Sequence, residues 1–349
     1  MEVAHFRNVA GPILNPRQWG HSGGASVRTA IVTTVLNEAL YIRDFLASLE
    51  AQSLRPDVVV ITDGGSTDGT QEMLQDFASA THLPFHWEVV PGNRSRGRNA
   101  AIRMADSDVI AVTDVNVLEP QWFERIVEPL ERRVADVVAG WYEPIGDTPR
   151  ERAMGCMTLY SIEQIDPDSF VPASRSIAFT RAAWERIGGY EEQLDAAEDT
   201  YLVLAMRRAR LRFVFEPRAV VRCRTPASVR EAFRTYRQYA NSDGRARLLG
   251  APQTHYAQLY GIYGAGVILL ILGVWWPIAW IVFSAGVLSY VVYRTRKVLE
   301  ARLVAQVPPS IVVALAVDLA QILGYAEGRA HPIEERSGAS VSADSGNDL

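Results

Sequence analysis

The sequence predicts an α/β domain with a mostly parallel sheet, followed by a C-terminal helical membrane region. Short runs of β-branched and aliphatic residues at 30–35, 57–62 and 109–113 are typical of buried strands, and stretches with apolar residues at helical spacing separate them. This alternation of strand and helix favours parallel strands covered by helices. Farther along the chain, residues 261–293 are almost wholly apolar, as in segments that cross a bilayer.

The other elements of the soluble part follow from the same two periodicities. The helix predicted at 41–52, for example, places Ile42, Phe45 and Leu49 on one face. Residues 143–149 are rich in Gly, Pro and Asp and are predicted to form a loop. Further helices are predicted at 69–79, 97–104, 119–133 and 196–210, and further strands at 85–90, 136–142, 211–215 and 219–221.

Composition and charge exclude some classes of protein. The chain has 349 residues, of which 48% are hydrophobic and 21% charged, as expected of a folded protein. Its net charge of −5 argues against a nucleic-acid partner, because nucleic-acid binders need a dense positive field. Cys156 and Cys223 are far apart and have no CxxC companion, so we expect no disulfide framework, no zinc site and a reducing compartment.

The chain divides into five predicted regions. The first lacks an apolar core of the signal-peptide type, so no cleaved leader is expected. The third is arginine-rich and suits the layer of anionic lipid head groups. In order, the regions are a flexible N-terminal arm at 1–27, the α/β domain at 28–227, a basic interfacial helix at 228–255, membrane helices at 256–327 and a disordered polar tail at 328–349.

The apolar region is predicted to form a hairpin. Residues 261–293 would make one helix of about 50 Å, whereas a bilayer core is about 30 Å thick. A Trp-Trp-Pro break at 275–277 therefore favours two crossings, at 256–275 and 277–293, with basic residues at both ends facing the cytoplasm. A third apolar piece contains Asp318, whose charge makes a lipid-facing position costly. This piece either crosses as well, packs on the hairpin or lies in the interface.

Acidic and amide side chains form four clusters. The first three directly follow predicted strands, which is where an open α/β sheet places its ligand-binding loops. The fourth opens a predicted helix. The clusters are Asn-Glu at 37–38, Asp-Gly-Gly-Ser-Thr-Asp at 63–68, Asp-Val-Asn at 114–116 and Glu-Asp at 198–199.

As an ordered set, these clusters resemble those of the family 2 glycosyltransferases, whose nucleotide-sugar-binding α/β fold is called GT-A. The resemblance covers about residues 29–215, and the hairpin is similar to that of a bacterial subset. It implies an inverting transfer from a nucleoside-diphosphate sugar to a hydroxyl of a lipid-linked or cell-envelope glycan acceptor. It also implies Mg²⁺ or Mn²⁺ as cofactor, and a multi-pass protein of the cell membrane with its catalytic domain in the cytoplasm.

The resemblance assigns a role to each matched position. The general base is Asp199, and the tentative contacts to acceptor or phosphate are Arg175, Glu198 and Arg245. Nucleotide or donor contacts are Glu38, Asp63, Gly65, Arg98 and Asp114, and the metal ligands are Asp114 and Asn116. Processive relatives carry a Gln-x-x-Arg-Trp motif that residues 237–245 lack, which implies the addition of one or a few sugars.

Structural roles compete with these assignments. Glu38 could simply favour a helix N-terminus. Asp195 and Glu198 have the spacing of a capping box, which would leave Asp199 free to act as the base. The turn at 63–68 could serve only to cap the next helix. Gly188-Gly189 resembles part of the family's segment that lies beneath the donor sugar, but it could instead be a helix C-cap.

The cationic and metal positions also have alternatives. Arg94, Arg96 and Arg175 could be solvated surface arginines, and Arg245 could bind head groups rather than the leaving diphosphate. Asn116 stands where the family has a second aspartate, so it offers a carbonyl oxygen without negative charge and should bind the cation more weakly. That departure motivates a non-enzymatic alternative, a binding or scaffold protein. A nucleotidyltransferase is disfavoured because no glycine-rich basic loop follows the first strand.

Overall fold

The computed structural model describes residues 27–146, 148–159, 162–167, 169–246 and 251–332. The predicted N-terminal arm, up to residue 26, and the predicted tail, from residue 333, lie outside these residues. The described part is an α/β domain followed by long apolar helices, as the sequence predicts.

The domain is built on an eight-stranded sheet with the order β3-β2-β1-β4-β7-β6-β8-β5 within the described ranges. Strands β3, β2, β1 and β4 are parallel. Strand β7 runs antiparallel to both β4 and β6, while β6 and β8 are parallel to each other. The strands are β1 (Thr29–Val35), β2 (Val58–Asp63), β3 (Phe85–Val89), β4 (Val109–Val112), β5 (Val117–Leu118), β6 (Val137–Pro144), β7 (Ile177–Thr180) and β8 (Phe213–Cys223).

Helices cover both faces of the sheet and continue beyond it. They are α1 (Ile42–Glu50), α2 (Thr70–Ala80), α3 (Arg94–Ala105), α4 (Trp122–Glu131), α5 (Pro149–Thr158), α6 (Arg181–Ile187), α7 (Glu198–Arg208), α8 (Val229–Ala246), α9 (Ala251–Leu272), α10 (Ile278–Glu300) and α11 (Val307–Ala330).

The topology gathers several loops at one edge of the sheet. Parallel strands β1, β2 and β4 all end there, with Val35 paired to Asp63. Because β7 is antiparallel to β4, its first residue, Ile177, pairs with the last residue of β4, Val112. The segment that precedes β7 therefore lies at the same edge as the three acidic loops.

Helix α3 packs unusually close to the sheet. A Cβ atom built on Gly97 would lie 2.2 Å from Oγ1 of Thr34 on β1 and 3.0 Å from Oγ1 of Thr62 on β2. Only glycine fits at this distance, because a real Cβ contact is never that short. The close approach brings the next residue, Arg98, into the buried edge of the sheet.

The sequence analysis missed some elements between the sheet strands. Helices α5 and α6 and strands β5 and β7 were not predicted. Helix α5 is started by a capping box in which the Thr148 hydroxyl accepts from the Glu151 backbone N–H (3.2 Å). The two short strands predicted at 211–215 and 219–221 form one strand, β8, because a shift of register opposite Ala139 and Trp141 lets pairing continue past Pro217.

Within the described ranges, the C-terminal region contains three helices that are long and apolar enough to cross a membrane. Helices α9 and α10 correspond to the predicted hairpin, and the break between them includes Trp275, Trp276 and Pro277. The third is α11. It packs along α8 at backbone contact, since a Cβ atom on Gly328 would lie 2.0 Å from the carbonyl oxygen of Asn241.

Candidate active site

The loops after β1 and β2 are held together by hydrogen bonds. The Thr67 backbone N–H donates to Oδ1 of Asn37 (2.9 Å), and the Asn37 N–H donates to Oγ of Ser66 (2.7 Å). The Glu38 N–H donates to Oγ1 of Thr70 (2.8 Å). Asn37 has a φ of 57°, a left-handed conformation that asparagine tolerates better than most residues. The first two acidic clusters therefore form one rigid surface.

Asp63 stabilises its own turn with one carboxylate oxygen, and its other carboxylate oxygen makes no hydrogen bond. Its Oδ1 accepts from the backbone N–H groups of Gly65 (2.8 Å) and Ser66 (2.7 Å) and from Nε2 of Gln71 (2.9 Å). Its Oδ2 is buried and has no hydrogen-bond partner in the described part of the chain. Gly65 has a φ of +102°, so glycine suits this turn position. A buried, unpartnered oxygen is what a donor group of a ligand would satisfy.

The same turn also starts helix α2. Oδ1 of Asp68 accepts from the backbone N–H of Thr70 (3.1 Å), the first residue of the helix. The prediction that Asp68 caps this helix is wrong, because the N-cap residue is Gly69, which makes no side-chain cap hydrogen bond. The role of the turn in the helix start does not remove the Asp63 oxygen from the site.

Glu38 is partly buried and shares an electrostatic environment with Asp114. Burial, and then the charge of Asp114, raises the pKa of Glu38 to about 7, while Arg94 opposes the shift. The carboxyl groups from the ends of β1 and β4 are therefore close enough to influence each other, as expected of one pocket.

Arg98 connects two acidic clusters from inside the protein. The residue is 1% exposed, and its guanidinium binds Oδ1 of Asp114 at 2.5 Å and also forms an ion pair with Glu198. It lies over the ring of Tyr190, 5.4 Å from the centroid. Burial opposes the charge of Arg98, but the two carboxylates outweigh burial and raise its pKa. The side chain predicted to contact the donor is thus engaged by carboxylates.

The predicted capping box at the start of α7 is wrong. Helix α7 begins at Glu198, and its N-cap is Ala197 in a left-handed conformation. The Glu198 side chain, 2% exposed, pairs with Arg98, and burial raises its pKa against the opposing effect of Arg98. Asp195 instead accepts from Nδ2 of Asn93 (3.4 Å). Glu198 therefore pairs with Arg98, which is distant in sequence, instead of capping the helix as the local spacing suggested.

Asp199 lies at the first turn of α7 with its carboxylate held from two sides. Its Oδ1 accepts from the Thr200 backbone N–H (2.7 Å), and its Oδ2 accepts from the Ser174 backbone N–H (3.3 Å). The Ser174 hydroxyl is in turn 2.8 Å from the hydroxyl of Tyr190. Asp199 is half-buried, so its carboxylate has a fixed orientation and still reaches solvent.

Asp114 and Asn116 offer hard oxygen atoms at the end of β4. The Asp114 side chain is 33% exposed, and although burial opposes its ionisation, Arg98 and Arg94 outweigh burial and lower its pKa. Asn116 is nearly buried, and its Nδ2 has no hydrogen-bond partner among the described residues. No cluster of three or more His, Cys, Asp or Glu suited to a metal occurs in the described ranges. The pair therefore fits Mg²⁺ or Mn²⁺ only with further oxygen ligands.

Two further cations face this edge. The Arg175 guanidinium lies over the ring of Tyr142, 5.5 Å from the centroid, and it helps to lower the pKa of Asp114. Arg94, which the sequence analysis also considered a surface residue, lies 3.9 Å from Glu198 and lowers the pKa of Glu38. The helix was predicted to begin at residue 97, which left Arg94 outside it, and no local pattern indicated its distant partner Glu198.

Arg245 reaches the loop before α7 from helix α8. Its guanidinium lies 3.7 Å from Oδ2 of Asp195. The structure thus places it beside the site rather than on a separate surface. It does not bring Arg245 into contact with Asp114 or Asp199 in the described hydrogen bonds and ion pairs.

Asn99, which was not predicted as a site residue, holds the loop after α6 in place by hydrogen bonds. Nδ2 of Asn99 donates to the Tyr190 carbonyl (3.0 Å), and its Oδ1 accepts from the Tyr190 N–H (2.9 Å). Gly188 is the left-handed C-cap of α6, which confirms the C-cap interpretation. A Cβ atom on Gly189 would lie 2.8 Å from Oδ1 of Asn99, so the close approach excludes a side chain there.

The fold and the arrangement of loops define a GT-A domain. The chain is similar in structure to the mannosyltransferase PcManGT from Pyrobaculum calidifontis, solved in complex with GDP-Man and Mn²⁺. The TM-score is 0.52 at 17% sequence identity, and the match covers 86% of this chain and 87% of that one. At this identity the likeness shows a shared fold.

Residues 30–187 match the family described as Glycosyl transferase family 2, and the chain carries a domain of that family. Its sequence is 29% identical over 133 residues to the glycosyltransferase AglE of Haloferax volcanii, covering 35% of this chain and 43% of AglE. It is 24% identical over 116 residues to the glycosyltransferase GlyA of Streptococcus pneumoniae, covering 33% of this chain and 17% of GlyA. The chain thus spans less than half the length of these curated relatives.

Proposed function

We propose that this protein is an inverting glycosyltransferase that takes a sugar from a nucleoside-diphosphate sugar and gives it to a hydroxyl of a lipid-linked or membrane-proximal acceptor. One observation carries the proposal. Arg98 holds Asp114, at the predicted donor side, and Glu198, next to the predicted base Asp199, within one buried network. The lack of the processive motif supports the addition of one or a few sugars.

The nucleotide would bind across the joined loops after β1 and β2. The unpartnered Oδ2 of Asp63 and the Glu38 carboxyl are acceptors suited to the N–H groups of a base and the hydroxyls of a ribose. The GDP-Man bound to a protein of the same fold supports a nucleotide-sugar donor.

The diphosphate would lie between Asp114, Asn116 and the two cations Arg94 and Arg175. Asp114 and Asn116 would hold Mg²⁺ or Mn²⁺, which when bound neutralises charge on the leaving diphosphate. Arg94 and Arg175 bring fixed positive charge to the same place, and they keep the Asp114 carboxylate ionised. Such preorganised charge stabilises the departing group without reorganisation during the reaction.

Asp199 would act as the general base. Its carboxylate would remove the proton of the acceptor hydroxyl while that oxygen attacks the anomeric carbon from the face opposite the diphosphate. The new C–O bond forms as the bond to the diphosphate breaks, which inverts the configuration. The N–H groups of Ser174 and Thr200 hold the carboxylate in place before the acceptor arrives.

The test is the Asp199→Asn variant. We expect turnover to fall by about 10² to 10⁴-fold, because a general base contributes that much, while binding of the donor persists. Product formation is measured with UDP-, GDP- and dTDP-sugars, and donor binding by the shift in unfolding temperature with and without Mn²⁺. The control is Asp106→Asn, since the Asp106 side chain is 84% exposed.

Each result has a distinct meaning. Normal turnover of the Asp199→Asn variant would show that another group is the base. If no nucleotide sugar stabilises the protein and none is hydrolysed or transferred in the presence of Mn²⁺, the result contradicts the proposed function and favours the scaffold alternative.

A further inference from the structure

Both halves of helix α11 contact helices that precede the membrane hairpin. In its first half, Val313 and Val317 form one buried apolar cluster with Met154 of α5 and Ala232 of α8. In its second half, Gly324 lies against the backbone of Arg237 of α8, where a Cβ atom would be 2.2 Å from the carbonyl oxygen. Helix α11 therefore contacts α8 in both of its halves and α5 in the first.

The partner of α11, helix α8, is itself fixed to the catalytic domain along its length. The Tyr236 hydroxyl donates to the carbonyl of Thr158 at the end of α5 (2.9 Å). Near the other end of α8, Arg245 pairs with Asp195 before α7 (3.7 Å). A helix that follows α8 at backbone contact therefore follows the surface of that domain.

The contacts of α11 decide between its possible positions. Its 24 residues make a helix of about 36 Å, which is long enough for a bilayer core of about 30 Å. Crossing would place its two ends on opposite sides of the membrane. Helix α8, an arginine-rich helix that is fixed to the catalytic domain, contacts both halves of α11, so both ends of α11 belong on the side of that domain.

The outward face of α11 is a continuous aliphatic stripe. Val312, Leu315, Leu319 and Leu323 are all exposed, at helical spacings of three and four residues. The opposite face is buried and carries small residues, among them Ala320 and Gly324. The helix thus exposes a contiguous aliphatic stripe, and such stripes mark contacts with a protein or a membrane.

Helix α8 supplies cations next to this stripe. At 100° per residue, exposed Arg234 lies about 160° and exposed Arg230 about 120° around α8 from Tyr236, which contacts the catalytic domain. Arg237 pairs with Glu327 of α11 at 2.5 Å. Arginines beside an aliphatic helix face are typical of segments that lie at the boundary of head groups and acyl chains.

We propose that α11 does not cross the membrane but lies in the head-group and acyl boundary, where it forms with α8 an interfacial platform beneath the catalytic domain. Only α9 and α10 then cross. The lipid surface fits as the partner because the platform is continuous with the hairpin: Tyr260 of α9 donates to the carbonyl of Ile322 (2.7 Å). The inference rests on the membrane location in the proposed function and does not depend on the sugar chemistry.

The first test is the side of the membrane on which the chain ends. The full chain with an epitope after Leu349 is placed in sealed vesicles, and protease access to the epitope is compared with access to the catalytic domain. Two crossings put both on the same side, as we expect. An epitope on the opposite side would show that α11 crosses and would overturn the proposal.

The second test is the depth of α11. Nitroxide labels are placed by Leu319→Cys on α11 and by Leu288→Cys on α10, after Cys156 and Cys223 are replaced by serine. Vesicles of phosphatidylcholine and phosphatidylglycerol are used, and collisions with oxygen and with a water-soluble relaxant give the depths. Leu319 should lie about 5–10 Å below the head groups and Leu288 deeper. Equal depth, or a Leu319 label outside the lipid, would contradict the platform.

The two tests remain separate from the proposed function. Neither readout requires donor binding or turnover, so an inactive protein with a cytoplasmic epitope would keep the platform and lose the glycosyltransferase proposal. If the serine background does not fold, the epitope experiment on the otherwise unchanged chain still decides the number of crossings.

Discussion

At the scale of single residues, the site is organised by Arg98 rather than by any carboxylate alone. Asp114 follows β4 and Glu198 begins α7, and the one guanidinium forms an ion pair with each of them. Buried charges are costly unless they are paired, so the three groups depend on each other. The pairing fixes the distance between the predicted donor side and the predicted base.

Replacing this arginine should damage the fold as well as the site. In the Arg98→Met variant, the Asp114 and Glu198 carboxylates lose their buried partner, and we expect the free energy of unfolding to fall by about 3–5 kcal/mol. Denaturant unfolding of the detergent-solubilised protein measures the change. The matched control is Arg94→Met on the same helix, whose side chain is 44% exposed and whose loss should cost at most about 1 kcal/mol. Equal losses would mean that the buried network is not special.

Sequence patterns locate residues at strand ends better than residues in tertiary pairs. Asp63 and Asp114 could be placed because a parallel strand ends just before or at each of them. The Asp195 and Glu198 spacing suggested a local cap, but Arg98, a hundred residues away in sequence, determines the Glu198 position. No local pattern reports such a partner, and the same is true of Arg94.

At the scale of elements, the pairing of α8 with α11 depends on small residues. Gly324 and Gly328 have the four-residue spacing that lets two helix backbones touch, and Gly244 of α8 faces them. This spacing inside an apolar segment is visible in the sequence and could have predicted a close helix pair. Hydropathy and the charge of Asp318, taken without this spacing, left the position of the helix open.

A single methyl group on this contact should separate the two helices. In Gly328→Ala the new Cβ would lie 2.0 Å from the Asn241 carbonyl oxygen, a backbone atom that cannot turn aside. We expect the free energy of unfolding to fall by about 1–3 kcal/mol, as for other overpacked contacts. Thermal unfolding in detergent is the measurement. Gly286→Ala on α10 is the control, because no atom lies within 4 Å of that Cβ position. A harmless Gly328→Ala would show that the backbones are not in contact.

The elements that the sequence revealed are those with strong local signals. Strands β1, β2 and β4 are continuous runs of buried aliphatic residues, so their periodicity was sufficient. Strand β7 has only four residues, and it exists because β4 and β6 both pair with it. A strand that owes its conformation to its neighbours gives little local signal.

At the scale of the whole molecule, polar contacts join the hairpin to the catalytic domain. The Tyr256 hydroxyl of α9 donates to Oδ2 of Asp243 (2.7 Å), and Nζ of Lys297 on α10 donates to the Leu159 carbonyl (3.0 Å). Burial raises the pKa of Asp243 to about 6, with a smaller contribution from the nearby charge of Asp199. The hairpin is therefore linked to the side of the site that holds the predicted base. Hydropathy predicted that apolar helices exist here but could not show these links.

The three apolar helices meet at Asp318. This residue is fully buried on α11, and its Oδ2 accepts from the hydroxyls of Tyr263 on α9 (3.1 Å) and Tyr290 on α10 (2.5 Å). Arg294 of α10 pairs with its Oδ1 at 3.2 Å. The charge that made the third apolar segment difficult to place is thus neutralised where the helices join. A buried pair of this kind fixes their relative position, because any other arrangement leaves a charge unpaired.

A double-mutant cycle can measure this junction. Arg294→Met leaves the Asp318 carboxylate buried without a counter-charge, and we expect a loss of about 3–5 kcal/mol in the free energy of unfolding. Asp318→Leu should cost less, because the Arg294 side chain is 21% exposed and part of its charge reaches solvent or head groups. The double variant removes both charges, so its loss should be smaller than the sum of the single losses by about 1–3 kcal/mol. Additive losses in detergent unfolding would mean that the two residues stabilise the helices independently, and Asp318 would then be held by the two tyrosines alone.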